Sequence, residues 1–109
     1  MILPFTGADV ATTIPMAIAH IRGGGLLAFP TETVYGLGGR VDTGSVSALA
    51  RLKGRPDGKP FLVLVSGVPM AEQLGLLFND SARAMARAFW PGPLTLALPS
   101  TGTRLPAQL

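Results

Sequence analysis

Cysteine is absent from the 109-residue chain, which excludes disulfides and thiolate metal sites. Histidine occurs once, as His20 in a predicted helix, where a structural role is the ordinary one. No His, Asp or Glu cluster has metal-ligand spacing, and no serine has a His–Asp pair that the sequence points to. Nothing approaches the ~18 consecutive apolar residues of a membrane helix, and residues 1–13 lack the basic-then-apolar order of a signal peptide. The expectation is one small soluble domain in the cytoplasm. Acids are scarce too, six against nine Lys and Arg, so the net charge is +3 and the pI about 10.2. That balance fits an anionic partner such as a nucleotide or RNA, and equally a plain globular domain.

What the chain does have is apolar content, 48%, enough for a packed core, together with 14 Gly and 10 Pro set in short connecting stretches. A first helix is predicted over Thr13–Arg22, capped by Thr12 or Thr13, with Pro15 in its first turn and Ile14, Ala17, Ile18 and Ile21 as the apolar stripe. Gly23–Gly25 stops it, and residues 26–29 read as a buried strand ended by Pro30. A loop, Pro30–Arg40, leads to a second helix over Gly44–Leu52, with Asp42, Thr43 or Ser45 as caps and Val46, Leu49, Ala50 and Leu52 apolar. Phe61–Val65 is the clearest strand pattern. Met70–Phe78 reads as helix. Asn79–Ser81 caps another that runs to Trp90, with Ala82, Met85, Ala86 and Phe89 facing inward and Arg83 and Arg87 outward. A last strand is predicted over Leu94–Leu98. Helices alternating with buried strands argue for an α/β layered fold.

Two loops carry chemistry. Pro30–Gly39 follows a strand directly, the position where open α/β sheets bind ligands. It offers the hydroxyls of Thr31 and Thr33, the Glu32 carboxylate and the Tyr35 phenol, and its glycines allow close backbone approach to a ligand. It is neither a dinucleotide fingerprint, since the third Gly would fall at Val41, nor a P-loop. A turn with backbone-bonded threonines and a half-buried Tyr35 would use the same residues. The second loop, Lys53-Gly54-Arg55-Pro56 with Lys59-Pro60, sets three cations on a stiffened connection that suits phosphate. An exposed basic turn at a helix C-terminus accounts for them as well. Trp90-Pro91-Gly92-Pro93 reads as a packing corner. With no evident acid, base or nucleophile, the chemistry that remains is positioning and charge stabilisation, as in transfer at phosphorus.

Three segments in order resemble one family. Pro30-Thr31-Glu32-Thr33-Val34-Tyr35-Gly36-Leu37 is similar to the P-T-E-T-x-Y-G-L signature of the YrdC family of L-threonylcarbamoyladenylate synthases. Lys53-Gly54-Arg55-Pro56 with Lys59-Pro60 resembles its K-x-R-P segment, and Trp90-Pro91-Gly92-Pro93-Leu94-Thr95 its (W/Y)-P-G-P-x-T segment. The resemblance implies a twisted, open, mixed α/β sheet with helices, of which residues 1–109 form the N-terminal part. An Arg-containing strand and an S-x-N motif would lie beyond it.

It also implies an activity: ATP, L-threonine and bicarbonate joined into threonylcarbamoyl-AMP with release of pyrophosphate. The threonylcarbamoyl group then passes, through a partner transferase, to adenosine 37 of tRNA. On this resemblance Thr33 contacts the substrate threonine, with Thr31 and Tyr35 shaping the pocket and Thr95 on its wall. Lys53 and Arg55 hold ATP phosphates and stabilise the charge of transfer, and Lys59 contacts the nucleotide. No cofactor is held permanently; ATP enters as substrate with Mg2+. Leu64 stands where some members place a threonine-binding His, as expected of a short bacterial type. A non-catalytic module that binds double-stranded RNA or tRNA is the alternative.

Overall fold

The computed structural model describes every residue except Arg55, Asp57, Gly58 and Thr103. The chain forms two compact units, Met1–Asp57 and Gly58–Leu109. The α/β class holds. The sheet among the described residues is a two-stranded antiparallel one in the first unit.

Helix α1 spans Val10–Arg22, starting earlier than the threonine caps predict. The reason lies upstream. The Thr6 hydroxyl donates to the Asp9 carboxylate, and the Asp9 carbonyl accepts from the N–H groups of Thr12 and Thr13 at 3.0 and 2.9 Å, so the first turn closes over Asp9. Thr13 is not a cap but a buried residue whose hydroxyl donates to the Pro4 carbonyl at 2.5 Å. Pro15 consequently lies inside the helix, where its missing N–H leaves the Ala11 carbonyl without its usual donor. The predicted stripe is only half covered. Ala17 and Ile21 are half-buried, whereas Ile14 and Ile18 are exposed, because the element packed on α1 is a strand of only three residues.

That strand, β1 (Leu27–Phe29), pairs with β2 (Gly36–Gly38) in the register Leu27↔Gly38, Ala28↔Leu37, Phe29↔Gly36. The stretch read from sequence as loop therefore contains a strand. Gly-Leu-Gly has no β-prone pattern of its own; β1 templates it. Helix α2 spans Thr43–Lys53, one residue longer at each end than predicted. Asp42 caps it by accepting the Ser45 N–H at 2.8 Å, and Gly54 closes it in the left-handed conformation (φ 58°), where a Cβ would be strained. Val46 and Leu49 are buried and supply the core of this unit, while Leu52, also apolar, is exposed.

In the second unit, α3 covers Val68–Gln73 only, a shorter helix than the Met70–Phe78 prediction. Pro69 fits its first turn, and Gly75 at φ 85° ends it. The chain then turns to meet its own C-terminal segment. Leu77 N–H donates to the Pro99 carbonyl and Thr101 N–H to the Gly75 carbonyl, both at 2.9 Å, around a single antiparallel bridge between Leu76 and Ser100. Helix α4 (Asp80–Phe89) carries the predicted Asn79 cap, with Asn79 Oδ1 accepting the Ala82 N–H at 2.8 Å. Of its inward residues Ala86 is buried and Ala82 half-buried; Met85 and Phe89 are exposed.

Phe61–Val65 and Leu94–Leu98 are not strands in this structure. Both alternate between half-buried and exposed residues, the two-residue period of a strand, yet neither joins the ladder formed among the described residues. Apolar, β-prone sequence specifies the alternation; a ladder also needs a neighbour offering its N–H and C=O groups in register. No helix of the described residues is long and apolar enough to cross a membrane.

Candidate functional site

The segment between β1 and β2 is organised by one hydroxyl. Thr31 Oγ1 donates to the Val34 carbonyl and accepts from the N–H groups of Thr33 (3.3 Å) and Val34 (3.2 Å). Thr33 Oγ1 lies 3.4 Å from the same oxygen. A hydroxyl has a single proton. That of Thr31 is given to Val34 and its two lone pairs to the N–H groups, so nothing is left over for Thr33, whose own lone pairs stay available as acceptors. The side chains of Glu32, Thr33, Val34 and Tyr35 are exposed, Tyr35 at 79%, so it is not the half-buried residue that a plain structural turn would predict. The backbone-bonded threonine of that reading is present, at Thr31.

On the side where a Cβ would stand, the loop glycines face protein atoms. A Cβ on Gly38 would come 3.0 Å from Phe29 Cε1, and one on Gly36 would meet the same ring at 3.4 Å and the Thr31 methyl at 3.6 Å. The ring of Phe29 lies over both. That role was hidden in sequence, although the strict G-x-G opposite a bulky aromatic is its signal once the register is known.

Arg40, at the far end of the loop, was also missed. Its Nη1 donates to the Arg22 carbonyl at 3.0 Å, and its Nε lies 3.2 Å from Asp42 Oδ2. One side chain thus ties the C-terminus of α1 to the cap of α2. The Ser45 N–H first, and after it the Ser45 hydroxyl and the Arg40 guanidinium, hold the Asp42 carboxyl below its ordinary value against the opposing effect of desolvation. His20 Nε2 is 2.8 Å from the Leu26 carbonyl and so serves the turn between α1 and β1.

Lys53 is the last residue of α2 and is exposed, just ahead of the Gly54 cap. Arg55 lies outside the described residues. The first unit thus contains Thr31, Thr33 and Tyr35 on one loop and Lys53 at the end of the following helix. Lys59 and Thr95 belong to the second unit and are exposed there. Close by in sequence, Trp90 makes the expected packing corner: its Nε1–H donates to the Leu94 carbonyl at 2.8 Å, and its ring meets Phe78 edge-on, with centroids 6.1 Å apart. No group of three or more His, Cys, Asp or Glu that could hold a metal occurs among the described residues.

Comparison with known proteins turns this geometry into kinship. The family model named for Sua5, YciO and YrdC, and described as telomere recombination, matches residues 19–109. The chain belongs to the Sua5/YciO/YrdC family. Among its curated relatives, the threonylcarbamoyl-AMP synthase of Pyrococcus abyssi is 43% identical over 89 residues, which are 81% of this chain and 26% of that protein. The synthase of Bacillus subtilis is 40% identical over 87 residues, 79% of this chain and 25% of the relative. A solved structure of P. abyssi Sua5 complexed with L-threonine superposes with a TM-score of 0.79 at 41% identity, covering 85% of this chain and 27% of that one. The chain therefore spans a quarter to a half of the length of the relatives it matches.

Proposed function

We propose that this chain carries the threonine-binding loop and the leading phosphate contacts of a threonylcarbamoyl-AMP synthase that acts in tRNA modification in the cytoplasm. The observation that carries the reading is the Thr31–Thr33 pair. One hydroxyl is locked to its own backbone and the other is exposed with free acceptor pairs, in a chain 41% identical to a protein solved with L-threonine. An amino-acid ammonium is a donor with three N–H bonds and needs such acceptors. Thr33 would receive it, and Tyr35 would close the side of the pocket.

In the proposed reaction the threonine ammonium gives up a proton, its amine bonds to the bicarbonate carbon with loss of water, and an oxygen of the resulting carbamate bonds to the α-phosphorus of ATP. The α–β bridging P–O bond breaks and pyrophosphate leaves. Lys53 and Arg55 would neutralise the phosphate oxygens as charge moves toward the leaving group, with Lys59 on the nucleotide and Mg2+ entering with ATP. The product's threonylcarbamoyl group would pass through a transferase to adenosine 37 of tRNA.

The test is pyrophosphate release from ATP by a protein containing this sequence, assayed with L-threonine and bicarbonate present or singly omitted. Release that requires both supports the reading. Salt-sensitive binding of duplex RNA, with no threonine-dependent release, would replace it by the RNA-binding alternative.

A further inference from the structure

The threonine loop closes onto β2, and β2 offers almost no side chains with which to hold itself in place. Two of its three residues are glycine, so Leu37 is the only side chain it presents. Its register rests on a few backbone hydrogen bonds and on whatever fills the faces of Gly36 and Gly38. The Phe29 ring fills both. Phe29 is directly opposite Gly36 in the ladder, and its ring reaches diagonally to Gly38, so that a Cβ at either position would meet the same six-membered ring. The methyl of Thr31 lies on the same free face of Gly36, 3.6 Å from where a Cβ would stand. The ring, the two bare glycines and the Thr31 side chain therefore form one contiguous packing unit, and the other branch of Thr31 is the hydroxyl that gathers Thr33 and Val34.

We infer that Phe29 is a positioning residue for the threonine loop: its ring, set against Gly36 and Gly38, fixes the start of β2, and with it the rotamer of Thr31 and the placement of Thr33. The inference rests on the reading of this loop as the threonine site, but the geometric half of it does not. A side-chain shift of one register step would flip Leu37 to the other face of the ladder, and the Phe29–glycine fit is what discriminates against that step. The fit also explains why a strand of such low β propensity forms here.

The experiment uses the whole chain and two readouts. The first, in the absence of ligand, is the set of three-bond couplings across Thr31 χ1, which separate one fixed rotamer from an average. The second is the dissociation constant for L-threonine, from titration followed by amide shifts. For Phe29→Ala the expected result is averaged Thr31 couplings and threonine affinity reduced about tenfold, with helical amide exchange in α1 and α2 unchanged. Gly38→Ala, which forces a Cβ toward the ring, should produce the same two changes, and Phe29→Leu combined with Gly38→Ala should recover a fixed Thr31 by restoring room.

Fixed Thr31 couplings and unchanged threonine affinity in Phe29→Ala would overturn the inference. So would loss of exchange protection spread evenly over α1, α2 and the hairpin, which marks a general structural role. If Phe29→Ala does not fold, Gly38→Ala and the double variant decide. If the unaltered chain binds no threonine, the functional reading fails by itself, while the coupling data still test the positioning.

Discussion

Replacing Thr31 by valine keeps the branched shape and removes only the oxygen, which isolates the work of that hydroxyl. Three hydrogen bonds are lost: donation to the Val34 carbonyl, and acceptance from the Thr33 and Val34 N–H groups at 3.3 and 3.2 Å. The two acceptances are long, and the loop is exposed, so the released N–H and C=O groups find water and no buried-polar penalty arises. A net loss near the low end of the usual range, about 1 kcal/mol for the set, is therefore the expectation, rather than the sum of three full bonds.

At that size the ratio of ordered to disordered loop falls roughly fivefold, since each 1.4 kcal/mol is tenfold, and the L-threonine dissociation constant rises by up to that factor as the ordered population drops. Thr31→Ser, which retains the oxygen, should lie close to the unaltered chain. The assay is titration with L-threonine followed by the amide shifts of residues 31–35. Thermal unfolding run in parallel should show little change, because the loop contributes none of the buried residues. Unchanged affinity in Thr31→Val, or equal weakening in Thr31→Ser, would refute the claim that the hydroxyl builds the site.

Other outcomes follow from the same structure. Lys53→Ala and Arg55→Ala should each abolish threonine-dependent pyrophosphate release while leaving the melting temperature nearly unchanged; for Lys53, exposed at the last residue of α2, a large drop in stability would contradict the assignment. Asn79→Ala removes the acceptor of the Ala82 N–H and should cost about 1 kcal/mol, read as a lower urea midpoint at constant slope. Asp42 has a folded-state pKa below its unfolded value of about 3.9, so its contribution is complete above that pH and is lost as pH falls through the folded value. Asp42→Asn, which can still cap the helix, should leave stability near neutrality almost intact and flatten the decline below about pH 4, as measured by denaturation across pH.

Sequence patterning revealed the helices better than the strands, for reasons visible in particular residues. Asp42 and Asn79, each among the candidates read from sequence, cap α2 and α4, because a cap is a local contract between one side chain and an N–H three residues on. The start of α1 was misplaced because its first turn closes on Asp9 through a carbonyl, which leaves no compositional mark. Strand β2 was invisible because Gly-Leu-Gly acquires its conformation from Phe29 and its neighbours across the ladder. Phe61–Val65 and Leu94–Leu98 show the opposite failure, since intrinsic preference there is strong but pairing is decided elsewhere in space. The threonines of the loop were legible as a ligand-facing set. Which hydroxyl is engaged and which is left to accept depended on distances that no spacing rule supplies.

The Trp90 corner has a practical consequence. Trp90 is the only tryptophan of the chain and Tyr35 the only tyrosine, and they fall in different units. The indole is half-buried with its N–H bonded to the Leu94 carbonyl, whereas the phenol stands in solvent where the loop enters β2. The molecule therefore contains two native optical reporters with separate addresses. Indole emission follows unfolding of the residues after Gly58, and phenol absorbance and quenching follow events at the threonine loop. Neither signal requires a label or a substitution.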